Sequence, residues 1–266
     1  MAEPSRKRGR PRSVPDTSGT IQALDRALDI LELLAGHTGL TLSEVAEKMD
    51  QSPSTVHRVL HTLAARGIAE SDQATQAWYI GPATFRLGSA FMRRSGIVER
   101  ARPVLRALME HSGETANLGI LNGQAVLFVS QSETQQTIRA FFPPGTRSPL
   151  HASGIGKALL AFGRPEILRE LLEGPELTRY TEKTLTTFEQ LHEDMARTRA
   201  RGFSFDDEER TRGMRCIAAP VFDLSGEAVA GVSVSGPTHR IGQEHVKTLG
   251  AAVAEAAAEL TKALGG

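Results

Sequence analysis

The stretch from Thr41 to Gly67, TLSEVAEKMDQSPSTVHRVLHTLAARG, constrains this chain more than any other part of it. Thr41 and Glu44 have the spacing of a capping box, which predicts a short helix with Val45, Ala46 and Met49 turned inward. Ser52 before Pro53 marks a second start, serine as N-cap and proline at the first helical position, and Gly67 marks the stop. Val56, Val59, Leu60 and Leu63 form the apolar stripe of that second helix. At about 100° per residue, the opposite side carries Ser54, Arg58 and His61, flanked by Thr55, His57 and Thr62. Two short helices across a tight turn, the second with a polar outer face, leave few alternatives to a helix-turn-helix.

The flanking sequence completes the unit. IQALDRALDILELLA predicts a helix with Leu24, Ala27, Leu28, Leu31 and Leu34 on one face, stopped by Gly36 and Gly39. GIAESDQATQAWYIG predicts two short strands about a polar turn, the form of a hairpin wing. The expectation is a winged helix-turn-helix whose second helix enters a DNA major groove. There, short polar side chains and arginine reach base edges while hydroxyls and amides clamp phosphates. Ser52, Ser54, Thr55, His57, Arg58 and His61 are the candidate contacts. A solvated helix face would carry similar residues; the short turn, the hairpin and the absence of any Asp or Glu from Gln51 to Ala69 decide for DNA. His57 and His61 have the i, i+4 spacing of a metal pair, but no nearby acid or thiol completes a ligand set, so no metal is expected.

Overall charge is uninformative here: 31 Lys and Arg balance 31 Asp and Glu, and recognition uses local faces. A second cationic patch precedes the first helix, RKRGRPR, with Arg8 and Arg10 as its candidate contacts. It fits either an extended hook for an A·T-rich minor groove or a disordered arm that adds counterion-release affinity. A single cysteine excludes an intrachain disulfide, and neither a membrane-spanning run nor a signal sequence is evident, so a reducing cytoplasm is expected.

From Pro82 to about Ser112 the pattern is mostly helical, with Gly96 and Pro103 as expected breaks or bends. Phe85, Leu87 and Phe91 would supply an apolar seam for a dimer contact, or would pack back on the wing. Beyond it the texture is mixed. TANLGIL, QAVLFVSQ, TIRAFF, GFSFDDEE, GMRCIAAPVFD and VAGVSVSGP read as strands, QAVLFVSQ as a central one. SGIGKALLAFG, PEILRELLEG, FEQLHEDMARTRARG and a last segment from Gln243 to Leu264 read as helices. This is an α+β sheet domain.

Cys216, in GMRCIAAPV, is the obvious candidate nucleophile, with His151 as the distant base. It runs into an apolar strand rather than a sharp glycine-rich elbow, and no nucleotide-binding glycine motif occurs, so neither catalysis nor a cofactor is expected. A cavity wall accounts for more. Period two puts Ser233 and Ser235 on one face of their strand, and the DLSGEA hairpin brings Cys216 alongside. Asp206, just past the GFSF strand, approaches the same region. HASGIGKALL adds a helix N-terminus whose amides at Gly154 and Ile155 would seat a carboxylate.

RALDILELL, TLSEVAEKM, SPSTVHRVLHTLAARG, PLHASGIGKALLA, RGFSFDDEE, GMRCIAAPV and GVSVSGP together resemble the IclR family of bacterial transcriptional regulators over nearly the whole chain. The resemblance implies a basic arm at 1–18, a winged helix-turn-helix at 19–82, a linker helix at 83–96 and a GAF-like effector-binding domain at 97–266. It implies homodimers or tetramers on a roughly palindromic double-stranded operator. It also implies that Gly154 and Ile155 hold an effector carboxylate while Asp206, Cys216, Ser233 and Ser235 line the pocket. Those four polar positions resemble members that sense glyoxylate or related small 2-oxo acids, with Ile155 bulkier than that branch's residue. The competing class is an enzyme acting on such an acid through Cys216.

Overall fold

The computed structural model describes residues 21–174 and 176–265, which fall into two compact units divided between Arg94 and Ser95. In the first unit α1 (Gln22–Ala35) leads through the two-residue β1 (Leu40–Thr41) into α2 (Leu42–Lys48) and α3 (Pro53–Ala64). The wing is β2 (Ala69–Ser71) and β3 (Ala77–Ile80), and α4 (Ala83–Ser95) follows. The caps are those the sequence dictates. The Thr41 side chain accepts from the Glu44 amide while Glu44 accepts from the Thr41 amide, and Ser52 accepts from Thr55 N with Pro53 at the first position. β3 sits between β1 and β2, so the wing is a three-stranded antiparallel sheet rather than a bare hairpin. Together these elements are the expected winged helix-turn-helix.

Its core is built by Ile30, Leu34, Val45, Val56, Leu60, Leu63 and Trp78. The face expected for α1 is corrected here: Ile30 and Leu34 are buried, whereas Leu24 and Leu28 are 54% and 50% exposed. The helix turns its 30/34 edge onto the core of the unit and leaves Leu24 and Leu28 on its outer side. Phe85 and Leu87 on α4 are also open, at 79% and 64%, so these residues do not pack back on the wing.

In the second unit α5 (Ile97–Ser112) precedes β4 (Thr115–Asn122), β5 (Ala125–Ser132) and β6 (Arg147–Pro149). Gly96, at φ 62°, makes the expected break before α5, because only glycine takes that left-handed conformation without steric cost. Pro103 makes none; α5 continues through it. Then come α6 (Gly154–Phe162), α7 (Pro165–Glu173), α8 (Phe188–Arg201), β7 (Ser204–Asp207), β8 (Met214–Phe222), β9 (Ala228–Pro237) and α9 (Val246–Leu264). The sheet is antiparallel with order β6-β5-β4-β9-β8-β7. α5 and α9 pack on one face, and α6 packs on the other with α8 and α7 outside it.

Two strand expectations change. TIRAFF is irregular: Ala140 is buried and Phe142 stacks on Phe128 at 4.9 Å, while Arg147–Pro149 takes the edge beside β5. An apolar run is satisfied here by side-chain packing without a ladder. β5 stands next to that short edge strand rather than at the centre. β9, buried along almost its whole length, lies between β4 and β8.

Candidate functional site

The face of the sheet beneath α6 carries a polar row assembled from four strands. Asp206 pairs with Cys216, Cys216 with Ser235, and Ser235 with Thr115. Directly paired residues of an antiparallel sheet point to the same side, so one carboxyl, one thiol and two hydroxyls lie in line. Asp206 belongs inside β7, not past its end as the sequence suggested. One pair further along stand Ser204, Ala218, Ser233 and Asn117. Ser233 is fully buried, with its hydroxyl beside the thiol rather than on the cavity wall. Thr115 and Asn117 were missed, although the T-x-N alternation at the head of TANLGIL carries the same period-two signal.

Over this row comes the N-terminus of α6. Ser153 caps it, accepting from Gly156 N at 3.1 Å and donating to Pro149 O at 2.9 Å. The first two helical amides, Gly154 and Ile155, have no intrahelical acceptor, as at any helix start. Gly154 lies so close to β8 that a Cβ there would stand 2.7 Å from Cys216 Sγ and 3.3 Å from Ala218 Cβ. Glycine is therefore what lets the amide end of the helix reach the thiol. Ile155 lies over a cross-strand pair of glycines, Gly119 and Gly231, where added Cβ atoms would approach it to 3.1 and 2.8 Å. Its bulk is seated in the sheet by the loss of two neighbouring side chains.

Between helix and sheet lies a cavity of about 30 Å³. A single water needs roughly 10–15 Å³ by the same kind of measure, so the space suits a molecule of a few heavy atoms. Gly154, Ile155, Asp206, Cys216 and Ser235 all line it. So do Phe128, Phe142, Ser148, Arg210 and Met214, which sequence reasoning did not find. Arg210 lies over the Tyr180 ring at 5.2 Å, and Arg215 is held by Asp207 and the Ile241 carbonyl.

The electrostatics favour binding over nucleophilic attack. Burial pushes the Cys216 thiol up to about 11, the Asp206 charge adds to this, and the Ser235 and Ser233 hydroxyls and Gly154 amide oppose it weakly. A thiol so raised is not a thiolate at neutral pH. His151 offers no base to it: its Nε2 lies 3.0 Å from the Thr178 carbonyl and its ring stacks against Tyr180. Burial raises Asp206 to about 6, against the pull of Lys157 and of the Glu209 amide, which donates to Asp206 Oδ1 at 2.8 Å.

Behind Asp206 is a buried ionic cluster. Lys157 Nζ donates to Phe205 O at 2.5 Å and Glu209 Oε1 at 2.6 Å, and lies 3.1 Å from Asp194 Oδ2. Burial raises Glu209 to about 8; the charge and hydrogen bond of Lys157 oppose this, while the neighbouring Asp206 and Asp194 carboxylates add to it. The cluster fastens α6 to α8 and to the segment after β7, and so holds the cavity's walls in place.

The polar side of α3 is the second candidate site. Ser54, His57, Arg58 and His61 are exposed and Thr55 is half-buried. Ser52 is committed to capping, its Oγ also lying 2.9 Å from Thr55 Oγ1. The His57 and His61 rings lie 4.2 Å apart, tilted by 46°, and His61 makes an edge-to-face contact with Trp78 in the wing. Among the described residues no group of three metal-ligating side chains occurs. Arg26 on α1 was missed; it borders the same groove as Thr55, Arg58 and Thr62. Arg8 and Arg10 lie outside the described residues. Among those described, no helix is long and apolar enough to cross a membrane.

A model of the IclR helix-turn-helix domain matches residues 23–73, and a model of the bacterial transcriptional regulator IclR C-terminal domain matches residues 89–262. The chain is 64% identical over 266 residues to the HTH-type transcriptional regulator BhcR of Paracoccus denitrificans (strain Pd 1222), covering 98% of this chain and 95% of that protein. It is 40% identical over 265 residues to the transcriptional repressor IclR of Escherichia coli (strain K12), covering 98% and 97%. Among solved structures it is similar to an IclR homolog complexed with 4-hydroxybenzoate from Microbacterium hydrocarbonoxydans. That match has 25% identity and a TM-score of 0.79, and covers 91% of this chain and 98% of that one.

Proposed function

We propose, on the premise that the chain belongs to the IclR family of bacterial transcriptional regulators, that its operator affinity is set by glyoxylate or a related small 2-oxo acid held beneath α6. The relatives are transcriptional regulators and not enzymes, and regulators of this family bind DNA and small-molecule effectors. One observation carries the finer reading: Asp206, Cys216 and Ser235 stand in register on adjacent strands, under the Gly154 and Ile155 amides, in a cavity sized for a few heavy atoms. The amides take the carboxylate, as a helix N-terminus favours an anion. Ser235 and the Cys216 thiol meet the oxo group or its hydrate. Asp206, raised to about 6, is still mostly a carboxylate at neutral pH and accepts from a hydroxyl of the hydrated ligand; a bound anion beside it favours its protonated, donating form.

At the other unit, Ser54, Thr55, His57, Arg58 and His61 read the operator while Ser52 fixes the start of the reading helix. The RKRGRPR arm, with Arg8 and Arg10, adds phosphate or minor-groove contacts. Exposed Phe85, Leu87 and Phe91 support a homodimer or a tetramer, presenting recognition helices to half-sites about 34 Å apart. Such a protein works in the cytoplasm. The effector acts only through different affinities for two conformations of the assembly.

Calorimetric titration with glyoxylate and pyruvate, with and without upstream DNA, tests this. Binding of at least one acid with an affinity that changes when operator is present is expected. Equal affinity in both conditions would refute the coupling. Turnover of the acid, abolished in Cys216→Ser, would instead establish the enzymatic alternative.

A further inference from the structure

Ser148 is the buried polar group that the reading above leaves without a task. It is 2% exposed, its Oγ finds no hydrogen-bond partner, and it is on the wall of the α6 cavity. Buried hydroxyls are almost always paired in folded proteins, so an orphan facing a cavity marks a place where something else completes the bond. Its position is opposite in the sheet to the polar row. Ser148 sits on β6 at one edge, paired with Val126, whereas Asp206 sits on β7 at the other edge. The same cavity touches both, so a ligand seated there is contacted from two sides.

The rest of the wall at the β5–β6 end is apolar: the stacked rings of Phe128 and Phe142. That end thus offers a short hydrocarbon surface with one hydroxyl in it. Building on the effector pocket proposed above, we infer that Ser148 is a specificity-determining residue. It selects small 2-oxo acids that carry a hydrogen-bonding oxygen beyond the oxo carbon over those that end in a methyl group. A methyl directed at Ser148 would displace the solvent that can pair with the hydroxyl in the free protein and leave it unpaired in the complex. A terminal hydroxyl pairs with it, and a site built around a hydrogen bond discriminates strongly against a ligand that lacks the matching group.

The comparison to make is 3-hydroxypyruvate against pyruvate, by calorimetry on the full chain and on Ser148→Ala and Ser148→Cys. The native protein is expected to bind the hydroxylated acid at least tenfold more tightly. Ser148→Ala should bring the two within about twofold, chiefly by weakening the hydroxylated acid, and Ser148→Cys, slightly larger and with a weaker donor, should fall between. A preference that survives in Ser148→Ala, no preference in the native protein, or an equal loss for both acids would overturn the assignment while leaving the pocket intact. Failure of the native protein to bind glyoxylate, pyruvate and 3-hydroxypyruvate alike would overturn the pocket reading itself, and this inference with it.

Discussion

Replacing Lys157 by Met removes the fully buried cation at the centre of an ionic cluster while keeping the length of the side chain. Lys157 is 1% exposed, and its ammonium is ringed by Glu209 Oε1 at 2.6 Å, Asp194 Oδ2 at 3.1 Å and the Phe205 carbonyl at 2.5 Å. Burial opposes its charge, yet Glu209, Asp194 and Asp206 together hold its pKa above the ordinary amine value. Without it, the carboxyl groups of Glu209, Asp194 and Asp206 are left in a largely buried site without the ammonium between them. Breaking a buried ion pair by removing one partner costs about 3–5 kcal/mol. For a unit of this size, 1 kcal/mol moves the melting temperature by about 2–4 °C, so a fall of roughly 6–20 °C is expected. The deficit should also depend on pH. Losing the ammonium raises the carboxyl pKa values further, so at pH 5 the variant's carboxyls carry protons and repel less, and the gap between native and variant should narrow towards pH 5 and widen towards pH 8. Scanning calorimetry of the second unit's transition at both pH values measures this. A loss under 3 °C, or a gap of equal size at pH 5 and pH 8, would refute the view that Lys157 neutralises the cluster.

Further outcomes follow from the same geometry. Glu209 and Asp206 have folded-state pKa values raised, by burial first, to about 8 and about 6. Their contribution to stability is therefore complete below pH 4 and is lost as pH rises through 6 and then 8. Native melting temperature should drop between pH 5 and 8.5, and Glu209→Gln should flatten the upper part of that curve. Gly154→Ala would set a methyl 2.7 Å from Cys216 Sγ; effector binding measured by calorimetry should weaken by tenfold or more while operator binding without effector is unchanged. Arg58→Ala should lower operator affinity by about 1–3 kcal/mol at one base position if the side chain reads a base. An equal loss across all operator variants in a gel-shift series would make it a phosphate clamp.

The first unit was legible because each of its signals is local. The Thr41–Glu44 box, the Ser52–Pro53 start and the stripe of Val56, Leu60 and Leu63 all act within one or two helical turns, and the chain's own periodicity states them. The exception, α1, shows the limit: its leucines mark a helix, but which edge of it is buried depends on what α3 and β3 cover. In the second unit, period two alone put Ser233 and Ser235 on one face, and hairpin logic put Cys216 beside them. Tertiary structure decided the rest. It moved Asp206 into the strand opposite Cys216, withdrew Ser233 behind the wall and kept TIRAFF out of the sheet. It also brought Ser148 and Arg210 to a cavity with residues far away in the chain. Period and capping are properties of neighbours along the backbone, whereas register and cavity walls arise when strands from distant segments are held together by a shared core. The sequence determined what each element is and which way its side chains alternate; only packing decided which of those side chains meet.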